Sequence, residues 1–154
     1  MPNDRKKLTA SWIGLLLLVT ANVQADRVES VLSEGWRFTK GDLSEEVRNP
    51  DYDDSQWERV TVPHDWAIAG PFNASENGYA GKLPWRGVGW YRRTIDLQDR
   101  HRGGRFFIDF DGVMAFPKVY VNGQLAGQWD YGYMSFRVDA TPYVRFGQSN
   151  VIAV

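Results

Sequence analysis

One stretch of the chain, residues 119–127, reads Val119-Tyr120-Val121-Asn122-Gly123-Gln124-Leu125-Ala126-Gly127. An Asn-Gly pair between two apolar runs is the strongest short-range signal of a β-hairpin, because both central residues of the turn must adopt positive φ. The stretch therefore predicts two antiparallel strands joined by a tight turn at Asn122 and Gly123.

Similar strand signals recur through the rest of the chain, whereas helical periodicity is almost absent. Trp36 and Phe38 fall on one face of a predicted strand, and residues 106–110 alternate in the same way. Further strands are predicted at residues 60–62, 90–95, 134–138 and 151–154. Many short strands with frequent turns predict an all-β fold, an antiparallel sandwich or jelly roll.

Tryptophan is abundant, and six of the seven lie beyond residue 25. Three are expected on strands and in the core, namely Trp36, Trp57 and Trp90. Trp66 fits either a core or an exposed position. Trp85 and Trp129 fall in loop-like segments. Trp85 belongs to residues 64–89, the longest stretch without a strand pattern, and a loop of that length is usually functional or disordered.

Residues 1–25 have the pattern of a signal peptide. Arg5, Lys6 and Lys7 precede an apolar run at 12–19, and small residues stand at a cleavage position in Val23-Gln24-Ala25. A membrane-spanning helix needs roughly 20 apolar residues, so this run is too short to serve as an anchor. We therefore expect export to a periplasm or an extracellular fluid, with residues 26–154 forming the β-sandwich domain.

The composition excludes several kinds of site. The chain has no cysteine, which rules out disulfides, thiolate metal ligands and a thiol nucleophile. Its formal net charge is −1, and no face is predictably basic, so nucleic acid is not an expected partner. We predict neither a metal nor a cofactor.

A series of short motifs resembles the N-terminal sugar-binding domain of family 2 glycoside hydrolases, the β-galactosidase and β-glucuronidase group. In chain order these motifs are Trp36-Arg37-Phe38, Asp53-Asp54-Ser55-Gln56-Trp57, Val62-Pro63-His64-Asp65-Trp66, Gly87-Val88-Gly89-Trp90-Tyr91-Arg92-Arg93, Phe110-Asp111-Gly112-Val113, Val119-Tyr120-Val121-Asn122-Gly123, Gly132-Tyr133-Met134-Ser135-Phe136, Asp139-Ala140-Thr141 and Asn150-Val151-Ile152-Ala153-Val154. The resemblance runs from Trp36 to the last residue.

The resemblance implies a galactose-binding-like jelly roll at the front of a much longer enzyme. In that family an immunoglobulin-like domain and a TIM barrel follow, and the barrel carries the two catalytic glutamates. The chain also stops at Val154 within an apolar strand pattern, so we expect a fragment truncated at its C-terminus. We therefore expect no catalytic residue in this chain. Its expected partners are a carbohydrate substrate and the remaining domains of the same enzyme.

The candidate sugar-contacting residues lie mainly after the predicted hairpin. In β-galactosidases an aspartate just after the second hairpin strand contacts the sugar, and Asp130 is the nearest match. A flat aromatic face beside a carboxylate suits sugar recognition. We therefore add Trp129, Tyr131 and Trp85 as substrate-binding candidates. Family members often have a histidine and a Gly-Gly pair here, where this chain has Trp129 and Tyr131-Gly132.

Other interpretations of the polar residues remain open at this level. The acidic residues Asp51, Asp53 and Asp54 could hold calcium, but a turn capped by Asp54 or Ser55 is the simpler interpretation. His64 is expected to stabilise the base of the long loop through hydrogen bonds. Two rival functions also remain, a free-standing carbohydrate-binding module and a purely structural β-sandwich.

Overall fold

The computed structural model describes residues 27–76, 78–80, 82, 83 and 86–154. The predicted signal peptide lies outside the described residues. The chain divides into two compact units, residues 1–30 and 31–154. The described part of the first unit, residues 27–30, has no regular secondary structure. Among the described residues, no helix is both long enough and apolar enough to cross a membrane.

The second unit is all-β. Its eight strands within the described residues are β1 (Trp36–Lys40), β2 (Glu58–Val60), β3 (Gly89–Leu97), β4 (Phe107–Phe110), β5 (Lys118–Val121), β6 (Gln124–Gln128), β7 (Phe136–Asp139) and β8 (Gln148–Ala153). Its helical segments there are single 3-10 turns, at Glu45–Arg48, Gly78–Ala80 and Asp99–His101. This confirms the all-β prediction.

The strands form two antiparallel sheets. The larger sheet has the order β2-β1-β3-β8-β5-β6, and the smaller sheet pairs β4 with β7. The two sheets meet at Gly127 of β6, where an added Cβ would lie 2.9 Å from Val138 Cγ2 of β7. Because glycine has no Cβ, the strands can pack face to face into a β-sandwich.

The inner faces of both sheets supply the core. Trp36 and Phe38 are both buried, and Ile108 of β4 joins the same apolar cluster, as the alternation predicted. The hairpin is also confirmed, because Asn122 has φ 51° and Gly123 has φ 84° between β5 and β6. These positive values are the ones that the turn requires.

The prediction for Trp57 and Trp90 is wrong in part, because both are half-buried and lie outside the core cluster. Trp90 pairs with Thr39 on the outer face of the large sheet, and its ring lies 6.1 Å from that of Tyr120. Trp57 lies just before β2 rather than on a strand, and it packs edge-on against Tyr52. An aromatic strand residue can bury one side on either face of a sheet, so composition alone did not identify the inner face.

Two strands are shifted along the chain relative to the prediction. β2 ends at Val60, and Val62 N donates instead to the Ser33 carbonyl, outside the ladder. β7 begins at Phe136, which leaves Met134 and Ser135 in the preceding loop. Apolar residues in loops imitate strand residues when only their pattern is considered.

Candidate functional site

The register of the large sheet brings several loops to one end of the sandwich. Lys118 at the start of β5 pairs with Gln128 at the end of β6, and Tyr120 pairs with Ala153 near the end of β8. The loop before β5, residues 111–117, and the loop after β6, residues 129–135, therefore leave the sheet at the same end. We call these two segments the rim loops.

The rim loops touch each other directly. A Cβ added at Gly132 would lie 2.5 Å from Met114 Sδ and 3.1 Å from Met114 Cα. The backbone N of Trp129 also donates to the Pro117 carbonyl at 3.1 Å. Glycine at position 132 is what permits this approach, so the two loops act as one surface.

Trp129 links the rim to the core. Its ring is stacked on Phe136, with centroids 5.8 Å apart and planes 8° apart, and Phe136 is stacked on Phe110 at 4.7 Å. The tryptophan nevertheless remains 39% exposed. One face of the indole is therefore anchored while part of it is available to a ligand.

Asp130 and Tyr131 follow in the same loop, and both side chains are exposed. Within the described residues, Asp130 makes no hydrogen bond or ion pair, so its carboxylate can accept bonds from a ligand. Tyr131 packs edge-on against Tyr133, with ring centroids 5.8 Å apart. The structure therefore brings Trp129, Asp130 and Tyr131 together on the rim.

Large apolar side chains are exposed on both rim loops, in addition to the predicted candidates. The exposed ones on the rim loops, beyond Trp129 and Tyr131, are Met114, Phe116, Tyr133 and Met134. The two rim loops meet through Gly132 and Met114, which are far apart in sequence, so no local sequence pattern indicated this contact. The predicted candidate Trp85 lies outside the described residues.

The long segment after β2 is tied to the sheet by His64. His64 Nδ1 lies 3.0 Å from the Tyr91 hydroxyl, and its ring packs edge-on against Phe38. Burial, together with the negative charges of Asp65 and Glu58, raises the pKa of Tyr91 to about 12. The hydroxyl thus stays protonated, and the predicted role of His64 at the loop base is confirmed.

The acidic cluster forms a turn, as the simpler interpretation predicted, but Asp53 supplies the side-chain bond rather than Asp54 or Ser55. Asp53 Oδ1 accepts from Ser55 N at 2.9 Å, and this backbone bond lowers the pKa of Asp53. Asp54 is used elsewhere, in an ion pair with Arg92.

Arg92 of β3 is a second feature that sequence reasoning missed. Its side chain is only 2% exposed. Its guanidinium donates to Asp54 Oδ2 at 2.9 Å and to the carbonyls of Val47, Asn49 and Tyr52. Arg92 therefore fixes residues 45–57 across the outer face of the sheet.

Two carboxylates on the small sheet are occupied by arginines. Asp109 binds Arg137 through both oxygens, at 2.6 and 2.8 Å. Asp139 binds Arg105, and hydrogen bonds from Thr141 and Arg105 lower the pKa of Asp139 to about 2. A general acid needs a raised pKa, so this shift runs in the opposite direction from catalysis.

A β-sandwich whose rim presents aromatic rings beside a carboxylate has the chemistry of a carbohydrate-binding domain. Residues 29–154 match the family described as glycosyl hydrolases family 2, sugar binding domain. That match covers most of the chain, and the chain therefore belongs to this family.

Similar proteins include a β-galactosidase of Bacteroides ovatus, which is 40% identical over 138 residues and aligns with 88% of this chain and 16% of its own. A β-glucuronidase of Bacteroides fragilis is 30% identical over 140 residues, which are 90% of this chain and 18% of its own. Among solved structures, a β-glycosidase of Bacteroides vulgatus superposes with a TM-score of 0.71 at 38% identity, over 79% of this chain and 16% of its own. The chain thus spans less than a fifth of the length of these relatives.

Proposed function

We propose that this chain is the sugar-recognition domain at the front of an exported, β-galactosidase-like glycoside hydrolase. In this proposal the two sheets form a galactose-binding-like jelly roll, and catalysis occurs in another part of the longer polypeptide. The observation that carries the proposal is the rim, where the Asp130 carboxylate lies between Trp129 and Tyr131 and has no partner among the described residues.

In this assignment Asp130 accepts hydrogen bonds from two neighbouring sugar hydroxyls. Bonds to a charged acceptor are worth roughly 1.5–3 kcal/mol. The exposed part of Trp129 offers an apolar surface to the C–H groups of the sugar ring. The stack on Phe136 holds that surface in place, so little conformational entropy is lost when the ligand binds.

The pairing of several carboxylates with arginines agrees with a role in sugar recognition rather than in catalysis for this domain. Retaining glycosidases need two carboxyl groups roughly 5–5.5 Å apart across the sugar. Asp54, Asp109 and Asp139 are each paired with an arginine instead. The expected partners are therefore the carbohydrate and the remaining domains of the enzyme.

Hydrolysis of nitrophenyl glycosides tests this division of labour. The chain alone should show no turnover of nitrophenyl galactosides or glucuronides, whereas the longer polypeptide should hydrolyse one of them. Turnover by the chain that is lost on Asp130→Ala would contradict the proposal. Sugar binding by a chain whose gene stops after Val154 would favour a free-standing carbohydrate-binding module.

Export is proposed from the pattern of residues 1–25. Mass spectrometry of the exported protein should find Asp26 as the new N-terminus. Soluble protein that retains Met1 would contradict this part of the proposal.

A further inference from the structure

The outer face of the large sheet has two arginines directly opposite each other. Arg37 of β1 pairs in register with Arg59 of the edge strand β2. Side chains at such positions have Cβ atoms roughly 5 Å apart, and like charges placed there repel. An anion between the two guanidinium groups would turn this repulsion into attraction.

Half of the described arginines are paired with a carboxylate, whereas this cross-strand pair is not. Six arginines of the described residues lie within ion-pair distance of a carboxylate, namely Arg27, Arg48, Arg92, Arg102, Arg105 and Arg137. Neither Arg37 nor Arg59 has a carboxylate at that distance in the part of the chain that the structure describes. Arg37 Nη1 donates only to the Trp57 carbonyl, at 3.3 Å, which leaves further N–H groups available.

A cavity of about 390 Å³ lies at this pair, between residues 34–37 and residues 59–61. Glu34 also lines it, and its backbone carbonyl is held by Arg93. Glu34, Arg37 and Arg59 therefore all line the same space. Guanidinium groups form bidentate hydrogen bonds with carboxylates or sulfates, and a carboxylate accepts hydrogen bonds from hydroxyl groups.

We propose that this cavity binds an acidic saccharide unit, with its carboxylate or sulfate group held by Arg37 and Arg59 and a hydroxyl held by Glu34. The combination of cations and a carboxylate suits a ligand that carries both an oxyanion and hydroxyl groups. Glu34 repels an anion such as sulfate, which has no hydroxyl group to donate to its carboxylate. The site lies on β1 and β2 at one edge of the large sheet, whereas the rim loops flank β5 and β6 at the other edge.

An NMR titration of the arginine Nε–Hε signals of the full chain with D-glucuronate tests the site. Glucuronate should shift the signals of Arg37 and Arg59 saturably, and its uncharged methyl ester should not. Arg59→Ala should weaken Kd roughly tenfold or more, because one charge-assisted contact is lost. Arg145→Ala, at an exposed arginine elsewhere, should leave Kd unchanged.

A second variant keeps the test decisive if Arg59→Ala perturbs the edge strand. Arg59→Glu creates a cross-strand ion pair with Arg37, so the protein should remain folded with an equal or higher Tm while glucuronate binding is lost. Asp130→Ala should not change this Kd, which separates the cavity from the rim. Equal responses to glucuronate and its methyl ester would overturn the proposal, and so would shifts with sodium sulfate but not with glucuronate.

Discussion

Replacing Arg92 with methionine should destabilise the protein far more than the loss of an ordinary surface arginine. Methionine keeps much of the apolar length of the side chain but cannot donate to Asp54 or to the three carbonyls above the sheet. Removing one member of a buried ion pair costs about 3–5 kcal/mol. Asp54 is 29% exposed, so water partly compensates and the lower end, about 3 kcal/mol, applies.

In a domain of this size, about 3 kcal/mol corresponds to a fall in Tm of roughly 10 °C. Thermal and urea unfolding followed by tryptophan fluorescence would measure the loss, and hydrogen exchange should show residues 45–57 losing protection first. The matched control is Arg27→Ala, whose ion pair with Glu29 is 73% and 71% exposed. That variant should lose less than about 0.5 kcal/mol. If Arg92→Met costs under about 1 kcal/mol, Arg92 does not anchor this segment.

Two further predictions concern the rim and the small sheet. Gly132→Ala should cost about 1 kcal/mol, because the new Cβ lies 3.1 Å from the backbone Cα of Met114, whereas the Met114 Sδ at 2.5 Å belongs to an exposed side chain that can move aside. Adding Met114→Ala should therefore recover little of the loss. Denaturant unfolding of both variants would check this, and an unchanged single variant would disprove the contact. The lowered pKa of Asp139 means that its stabilisation is complete above pH ~4 and disappears as the pH falls toward ~2. Tm measured between pH 2 and 5 should therefore fall more steeply for the wild type than for Asp139→Asn, and parallel curves would contradict this.

The strands could be predicted wherever local chemistry determined them. The Asn122-Gly123 turn requires positive φ, and the alternation of Trp36 and Phe38 is a local pattern, so both were visible in the sequence. Trp57 and Trp90 were assigned to the core because sequence alone does not distinguish the two faces of a sheet that is covered on both sides. The segment held by Arg92 is that cover.

Only the residues of the candidate site that are neighbours in the sequence could be predicted. Trp129, Asp130 and Tyr131 are consecutive, so their grouping needed no tertiary information. The neighbouring loop with Met114 became part of the rim only through the contact at Gly132, between residues distant in sequence. Arg92 was overlooked for the same reason, since a buried charge depends on partners that only the fold brings near.

The kinetics of Asp130→Ala in the longer polypeptide show whether the rim loop contacts the sugar. We expect kcat/KM to fall at least tenfold, a loss of about 1.4 kcal/mol or more in transition-state binding, while Tm stays unchanged because the side chain is exposed. Asp111→Ala, at an exposed carboxylate on the other rim loop, serves as the control for a general change in charge. Full activity of Asp130→Ala, with full stability, would show that the rim loop does not contact the sugar.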